Sequence, residues 1–325
     1  MQILSKTNYN FVRWRYHALV FSWIIILAGA LFIWKQGMPL GVEFSGGTIV
    51  IEHFDQPIDL QRVREAVNNG LPNGTGQGAM IQSYGDSASN QVLIRVPTVG
   101  AETGAQLSAT AEAVNTALQQ ANIGQFNEVG REIVGPIVGQ QLTRQGVLAT
   151  ALALGGILLY VAFRFQFSFA VGAVVATVHD LLVTMAFLAF FRYDLSLNVI
   201  AALLTITGYS VNDTIVIFDR VRENLRGMRR DSLETVVNVA VNQTLSRTIL
   251  TAGTTLFSVL SLYLFGGEVL HGFAFTMLVG VITGTYSSVF IAAAIVIIWQ
   301  GRRPLKGQPA APASAPAKPN RRRAS

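Results

Sequence analysis

Long apolar runs alternate with short polar segments along most of this 325-residue chain. A helix that crosses a bilayer needs roughly 20 mainly apolar residues. The runs that meet this length cover residues 17–36, 143–163, 169–190, 195–218, 248–266 and 271–299. The pattern therefore predicts an α-helical polytopic membrane protein with six transmembrane helices.

The segment between the first two spans, residues 37–142, is polar and long enough to form a small domain. Its strand and helix patterns follow one another in the order β-α-β-β-α-β, which is the order of a ferredoxin-like domain. The predicted elements are Thr48–His53, Leu60–Asn68, Ala79–Tyr84, Gln91–Val96, Glu102–Ala121 and Phe126–Val134. We therefore expect one small α+β domain between helices 1 and 2.

Three other polar segments flank or separate the spans: residues 1–16, 219–247 and 300–325. The middle one has apolar residues at helical spacing, which predicts an amphipathic helix at the membrane surface leading into helix 5. The last one is rich in Pro, Ala, Lys and Arg and is predicted to be a disordered basic tail. All three are rich in Lys and Arg, so the positive-inside rule assigns them to the cytoplasm and residues 37–142 to the periplasm.

The apolar run that follows Lys6, Arg13 and Arg15 has two interpretations. It is long for a secretory signal and lacks a clear small-residue cleavage site, which favours an uncleaved anchor, the first transmembrane helix. A cleaved signal peptide is the alternative.

Composition agrees with a membrane protein and narrows the chemistry. Hydrophobic residues make up 51% of the chain and charged residues only 13%, against about 25% charged in soluble proteins. The net charge is +6. The Lys and Arg residues lie mostly in the segments assigned to the cytoplasm, so the charge does not indicate a nucleic-acid partner. The absence of cysteine excludes disulfides and thiolate metal sites. No P-loop, zinc-protease or serine-hydrolase motif is present, so we expect neither an enzyme nor a cofactor or metal site.

One carboxylate, Asp213, lies within the fourth apolar run. An ionisable group there is costly and is a functional hypothesis by default. Helical spacing places polar residues on one face of each of the last three helices. These faces are Thr205, Tyr209, Asn212 and Asp213; Arg247, Thr251, Thr254, Thr255 and Ser258; and Thr276, Gly280, Thr283, Gly284 and Ser287. We expect the three stripes to face one another or a hydrated cavity. Gly280 and Gly284 form a small-xxx-small pair that would permit close helix packing.

Arg247 begins the fifth helix, and an antiparallel neighbour would place it at the depth of Asp213. The two residues are therefore predicted to pair. In one interpretation Asp213 carries protons and its distance from Arg247 changes during transport. In the other, the pair is static and joins the two helices.

The dipeptide His179-Asp180 falls near the middle of the third helix, another expensive position. It is either a second relay station or a hydrogen-bonded packing pair. Tyr209 and Asn212 share the face of Asp213 and are assigned the same two possible roles.

Four stretches together resemble the SecF family of protein-export membrane subunits. They are Gly208-Tyr-Ser-Val-Asn-Asp-Thr-Ile-Val-Ile-Phe-Asp-Arg-Val-Arg-Glu-Asn224, Gly41-Val-Glu-Phe-Ser-Gly-Gly47, Val134-Gly-Pro-Ile-Val-Gly139, and the pair Leu245-Ser-Arg-Thr248 and Leu264-Phe-Gly-Gly267. The resemblance covers nearly the whole chain. Glu43 departs from it, because the family usually has Asp at this position.

The resemblance implies a subunit of the Sec machinery in the bacterial inner membrane, within the resistance-nodulation-division superfamily. Such a subunit, with SecD as its partner, uses the proton motive force to promote preprotein translocation through SecYEG. It would place Asp213 and Arg247 in the proton path. It would place Gly41, Glu43, Phe44, Gly46 and Gly47 at the junction between membrane and periplasmic domain. Membrane lipids would surround the spans.

Two alternatives to this function remain at this point. One is a proton-coupled exporter of small molecules or lipids from the same superfamily. The other is a scaffold of the translocon that transports nothing itself.

Overall fold

A computed structural model describes residues 7–85, 89–97, 104–164 and 167–300. The predicted basic tail from residue 301 onward and the first six residues lie outside this range. Within the described residues, six helical segments are long and apolar enough to cross a membrane. The predicted six-span architecture is confirmed.

The elements follow one another in a simple order. They are α1 (Arg15–Gln36), α2 (Val42–Ser45), β1 (Gly47–Phe54), α3 (Leu60–Gly70), β2 (Met80–Tyr84), β3 (Gln91–Pro97), α4 (Gly104–Gln120), β4 (Phe126–Val134), α5 (Pro136–Arg164), α6 (Phe167–Phe190), α7 (Leu197–Gly227), α8 (Leu233–Phe265), α9 (Glu268–Ser287) and α10 (Ala293–Gln300). A π-helical turn, Ser288–Ala292, joins α9 to α10. The sixth span therefore comprises α9, the π turn and α10.

The α+β domain, formed by β1 to β4 with α3 and α4, has an antiparallel sheet in the order β2-β3-β1-β4. This is the strand order of a ferredoxin-like domain, and the fold class predicted from the sequence is confirmed. The two helices cover one face of the sheet and bury Val50, Val63, Ile94 and Val114 in a common core.

Strand β1 is buried along nearly its whole length, because both faces of the sheet are covered there. Val50 and Phe54 point toward the α3 and α4 side. Ile49 packs on the opposite side with Val42 of the short helix α2. The domain is thus fixed against the linker that joins it to α1.

The transmembrane bundle has an inner layer formed by α6, α7 and the sixth span. Helices α1, α5 and α8 lie outside this layer and expose most of their apolar side chains. Small residues bring α9 close to α7. A Cβ added at Gly280 would collide with the Ile206 side chain, and one at Gly284 would lie 3.1 Å from Cβ of Ser210. The close packing predicted for these two glycines is present.

The 219–247 segment differs from its prediction as a loop with a surface helix. Helix α7 runs on to Gly227, and α8 begins at Leu233 and continues without a break to Phe265. The segment from 233 to 250 contains no Gly or Pro that would end a helix. Its apolar residues do not lie on a membrane surface. They pack inside the largest core cluster, and the buried members are Val236, Val237, Ala240 and Val241.

The N-terminal segment packs along this first part of α8, and its backbone amides donate hydrogen bonds to asparagine side chains of that helix. Asn238 Oδ1 accepts from Phe11 N at 2.9 Å, and Asn242 Oδ1 accepts from Tyr9 N at 2.9 Å. Arg15 also pairs with Glu234 at 2.7 Å. The start of α1 and the start of α8 are therefore joined at the end of the bundle opposite the α+β domain.

Candidate functional site

Helix α7 places Asp213 inside the bundle, where only 8% of the residue is exposed. Its two carboxylate oxygens have partners on two other helical segments. Thr248 of α8 donates to Oδ1 at 2.7 Å, and Ser288 of the π turn donates to Oδ2 at 2.5 Å. A carboxylate buried in a membrane span is thus held entirely by hydroxyl groups among the described contacts.

The second buried carboxylate, Asp180, lies on α6 and is 1% exposed. Its Oδ2 accepts from Ser210 of α7 at 2.5 Å and from Ser287 of α9 at 2.8 Å. Its Oδ1 lies 2.9 Å from Nδ1 of His179. This carboxylate joins α6, α7 and α9 into one polar cluster.

The two aspartates share the elements that hold them. Ser287, the last residue of α9, binds Asp180, and Ser288, the first residue of the π turn, binds Asp213. On α7, Ser210 binds Asp180 and lies three residues before Asp213. A π turn widens the helix locally and occurs often at functional sites. Here it presents two adjacent hydroxyls to two different carboxylates.

His179 connects this cluster toward α1. The His179 ring lies 6.4 Å from the ring of Tyr286, and the Tyr286 hydroxyl donates to the Ala18 carbonyl at 2.8 Å. The second ring nitrogen of His179, Nε2, is buried without a hydrogen-bond partner among the described atoms. His179 and Asp180 are therefore a hydrogen-bonded pair, and Nε2 of His179 has no described hydrogen-bond partner in the interior.

The predicted pair between Asp213 and Arg247 is not formed in this structure. Arg247 is exposed, and among the described residues no ion pair joins it to Asp213. Consecutive residues of an α-helix point about 100° apart, so only one of Arg247 and Thr248 can face α7. The structure turns Thr248 inward and leaves Arg247 at the same depth on the outside of the bundle.

Tyr209 and Asn212 have different surroundings from each other. Tyr209 is half-buried and packs on the cluster of α7, α8 and α9 that includes Ala252 and Met277. Asn212 is exposed on α7. Among the contacts that the structure describes, neither bonds to Asp213.

The sequence predicts that the three polar stripes face one another, and the stripe of α8 does so only in part. Thr251 and Thr255 form side-chain hydrogen bonds with Tyr209 of α7. Most residues of the α8 stripe are nevertheless exposed, and its hydroxyls donate to carbonyls of α8 itself. These bonds are made by Thr251, Thr254, Thr255 and Ser258. Such bonds satisfy a hydroxyl within its own helix. The stripe of α9, by contrast, is buried against α7.

The predicted junction motif lies between the bundle and the α+β domain. Gly41 N donates to the Leu195 carbonyl at 2.8 Å, and Glu43 Oε1 accepts from Leu197 N at 3.3 Å. Gly46 and Gly47 have φ angles of +72° and +132°, a region that favours glycine. The Phe44 carbonyl lies beside Gly139, at 3.0 Å from where a Cβ would stand. The motif thus fills the space between the α6–α7 turn and the start of α5.

Three partners of the carboxylates are not predicted by the sequence pattern: Thr248, Ser210 and Ser288. Ser210 could have been found, since it lies three residues before Asp213 on a neighbouring part of the same helix face. Thr248 directly follows Arg247 in the sequence. The opposite charges of Arg247 and Asp213 favour a prediction in which these two residues pair. Ser288 depends on a π turn, for which the sequence carries no clear signal.

Among the residues that the structure describes, no three or more His, Asp or Glu side chains form a group that could hold a metal ion. The arrangement of hydroxyls around two carboxylates is suited to holding and exchanging protons, because a hydroxyl both donates and accepts hydrogen bonds.

Comparison with known proteins identifies the relatives of the chain. The family model for the C-terminal part of the protein-export membrane proteins SecD/SecF matches residues 113–302. The protein translocase subunit SecF of Pseudomonas aeruginosa is 44% identical over 91% of this chain and 92% of its own length. The corresponding subunit of Escherichia coli O157:H7 is 38% identical over 90% of this chain and 88% of its own length.

Solved structures give the same result for the fold. The crystal structure of SecDF from Thermus, titled a translocon-associated membrane protein, matches with a TM-score of 0.81 and 32% identity. The match covers 92% of this chain but only 40% of the Thermus chain. This chain therefore corresponds to part of SecDF and to most of the SecF subunits. It belongs to the SecD/SecF family of protein-export membrane proteins, among the SecF protein translocase subunits.

Proposed function

We propose that this chain is the SecF half of a proton-driven complex that promotes preprotein translocation. A SecD chain supplies the other half, and the SecYEG channel carries the substrate. The names of the relatives support the translocase role. The SecDF structure, of which this chain spans 40%, supports a SecD-type partner.

The observation that carries the proton-coupled function is the pair of hydroxyls on Asp213. A hydroxyl donates to a carboxylate and accepts from a carboxylic acid. Thr248 and Ser288 can therefore hold Asp213 in both protonation states by rotating their O–H bonds. A guanidinium only donates, so a fixed ion pair would favour the charged state alone. Hydroxyl partners suit a group that gains and loses a proton in each cycle.

In this proposal Arg247 acts at the interface with the partner and not in a fixed ion pair with Asp213. It precedes Thr248, the partner of Asp213, on α8 and is exposed. A guanidinium exposed to lipid inside a span is expensive. We therefore assign Arg247 to the interface with the SecD half, where approach to Asp213 and withdrawal from it would favour release and uptake of the proton.

The orientation follows from the distribution of Lys and Arg. Both termini lie in the cytoplasm and residues 37–142 in the periplasm of a bacterium, with the chain in the inner membrane. Protons enter from the periplasm, and each one supplies about 2.3 kcal/mol per 100 mV of membrane potential. We assign the membrane-embedded parts to the six predicted ranges and the ends of α7 and α8 beyond these ranges, up to Gly227 and from Leu233, to the cytoplasmic side.

One observation favours a different function, that of a scaffold. Both oxygens of Asp213 are satisfied within the chain, as they would be in a purely structural polar joint between helices. In that case Asp213→Asn, which keeps the size of the side chain, would leave activity intact.

The test is preprotein translocation into inverted inner-membrane vesicles with the wild-type chain and with Asp213→Asn, each with and without a proton gradient. Co-purification of the SecD partner controls for assembly. We expect the variant to assemble and to lose the gradient-dependent part of translocation. Full stimulation by the gradient in the variant would support the scaffold instead.

A further inference from the structure

The α+β domain contacts the bundle through Arg95 of β3. This residue is 9% exposed. Its Nη2 binds the carboxylate of Asp194, in the turn between α6 and α7, at 2.5 Å. Its Nη1 donates to the Leu40 carbonyl, in the linker after α1, at 3.0 Å. One guanidinium thus joins the sheet, the linker and the turn that leads into α7.

The linker and the turn are also paired through their backbones. Gly41 N donates to the Leu195 carbonyl at 2.8 Å, and Leu195 N donates to the Pro39 carbonyl at 2.8 Å. Leu40 and Leu195 form a parallel β-bridge. A side chain at Gly41 would collide with Glu43 and come within 3.1 Å of the Leu195 carbonyl. The two segments are therefore in contact along their backbones.

Glu43 fixes the same linker to the first residue of α7. Its Oε1 accepts from Leu197 N at 3.3 Å, and Ser196 caps the helix by accepting from Val199 N. A carboxylate is favoured at a helix N-terminus because the amides there lack helical partners and the helix dipole is positive. The linker therefore contacts the end of the helix that carries Asp213.

The turn itself is anchored in the bundle by Tyr193. Its ring stacks on Phe275 of α9 at 4.4 Å with an angle of 19° between the planes. Its hydroxyl lies 3.2 Å from the hydroxyl of Tyr263 on α8. The membrane side of the contact is thus a packed surface and not a loose loop.

Domains joined by a short polar contact usually move relative to one another. Here the linker is bonded to β3 on one side and to the start of α7 on the other, which removes the free torsions that a hinge needs. We propose that residues 39–46, Arg95 and the turn 192–197 form a rigid joint. Through this joint the α+β domain and the N-terminal end of α7 move as one body. Arg95, Asp194 and Glu43 act as positioning residues.

The consequence rests on the function proposed above, in which Asp213 carries protons. Asp213 lies about 24 Å along α7 from Leu197, at roughly 1.5 Å per residue. A shift of α7 during proton transfer would therefore carry the α+β domain with it, without loss in a flexible connection. The joint would convert proton transfer inside the bundle into displacement of the domain outside it.

The absence of cysteine in the chain permits a direct test. Cysteines replace Leu40 and Leu195, whose backbones are paired, and a short bifunctional thiol reagent joins them in vesicles that hold the complete complex. A rigid joint predicts efficient cross-linking and unchanged gradient-dependent translocation. Loss of translocation on cross-linking would show that the joint must open. Failure of the cysteines to react would show that the segments are apart. Either result would overturn the proposal.

The second arm weakens the joint with Arg95→Gln or Asp194→Asn. We expect each variant to assemble with its partner and to lose gradient-dependent translocation. The exchanged pair Arg95→Asp with Asp194→Arg should restore part of the loss, and so should the 40–195 cross-link in the Arg95→Gln background. Recovery by cross-linking is not expected for a residue that only stabilises the domain. Full gradient-dependent translocation in both single variants would contradict the proposal.

Arg131→Gln provides a matched control, because Arg131 pairs with Glu128 inside the α+β domain. It should leave translocation unchanged, and a loss equal to that of Arg95→Gln would remove the joint as the cause. Asp213→Asn in the same assay separates the two proposals. If Asp213→Asn abolishes gradient-dependent translocation and Arg95→Gln does not, the proposal of a rigid joint is contradicted and the proposed proton path is not. If Asp213→Asn retains that part, the proton path fails while the cross-linking result still reports on the joint.

Discussion

At the scale of single residues, the buried acids differ in how their charge is compensated. Asp180 and Asp213 accept hydrogen bonds on both carboxylate oxygens. Glu52 of β1 is fully buried, and neither of its oxygens has a partner among the described atoms. It lies at a register shift between β1 and β4. An acid in this environment is expected to be stable only when it is neutral.

Glu52 therefore predicts a pH dependence of the α+β domain. Burial raises the pKa of Glu52 to about 7, with a further contribution from Glu128 that Arg131 partly offsets. The folded domain binds a proton that the unfolded chain releases near pH 4.5. The stability of the folded domain is thus greatest below about pH 4.5 and falls as the pH rises through about 7.

Glu52→Gln should remove this loss and stabilise the domain above pH 7 by on the order of 1 to 3 kcal/mol, because a pKa shift from 4.5 to about 7 corresponds to a free-energy difference of this order. Hydrogen exchange of the β1 amides, compared between variant and wild type at each pH, measures the effect. Glu112→Gln, at an exposed position of α4, is the control. An equal difference at pH 4 and pH 8 would contradict the assignment.

At the scale of elements, the contact between α7 and α9 depends on residues without side-chain bulk. Gly280 lies against Ile206, which is fully buried and branched at Cβ. Branched side chains have few alternative rotamers, so Ile206 cannot easily give way. The same two helices meet where Ser288, which directly follows α9, binds Asp213 of α7.

Gly280→Ala should therefore destabilise the bundle by about 1 to 3 kcal/mol through overpacking, although alanine is the better helix former. The thermal midpoint of the purified protein in detergent measures the change. Gly253→Ala on α8, where a Cβ would meet nothing within 4 Å, should not lower the midpoint. Adding Ile206→Val to Gly280→Ala removes Cδ1, the atom nearest to the added methyl, and should recover part of the stability, because the volume lost is close to the volume gained. No recovery would point to a different cause.

The elements were largely predictable from sequence, because periodicity reports how a helix or strand is buried. The runs of six apolar segments, the β-α-β-β-α-β order and the Gly280–Gly284 pair all correspond to features of the structure. The continuous α8 was not predicted, since charges between 219 and 247 resemble those of a loop. Helices that pack on one another beyond the bilayer can carry such charges on their exposed side.

The site was predictable only in part. Asp213 and Asp180 could be identified from the sequence, because burying a carboxylate among apolar residues has a high free-energy cost unless it has polar partners. The identity of those partners depends on the rotation of each helix. Turning α8 about its axis by the angle between two consecutive residues would exchange Thr248 for Arg247 at the contact with Asp213. The π turn determines which serine binds which aspartate. Helical periodicity does not resolve either choice.

At the scale of the whole molecule, polar residues of α7 and α8 are exposed on one side of the bundle. Asn212 of α7 and Arg247 of α8 are exposed at the depth of Asp213, and hydroxyl-bearing residues continue along α8 to Ser258. The SecDF structure is more than twice as long as this chain, which covers 40% of it. We assign this face to the SecD half.

This assignment predicts where the partner contacts the chain. A photoreactive amino acid at Ser258 or Thr254 should form an adduct with the SecD partner in membranes. The same residue at Ile24, exposed on α1, should react with lipid and not with the partner. An adduct from position 24, together with none from positions 254 and 258, would place the partner on another face.

The most direct test of the central claim measures the proton itself. The purified complex with its partner is reconstituted in liposomes that contain a pH-sensitive dye, and a pH step is applied outside. Proton uptake is then compared for the wild type, Asp213→Asn, Thr248→Val and Thr248→Ser. We predict uptake by the wild type and by Thr248→Ser, which keeps the hydroxyl. We predict its loss in Asp213→Asn and in Thr248→Val, which has nearly the same shape without a hydroxyl. Uptake at the wild-type rate in Asp213→Asn would show that the proton takes another route.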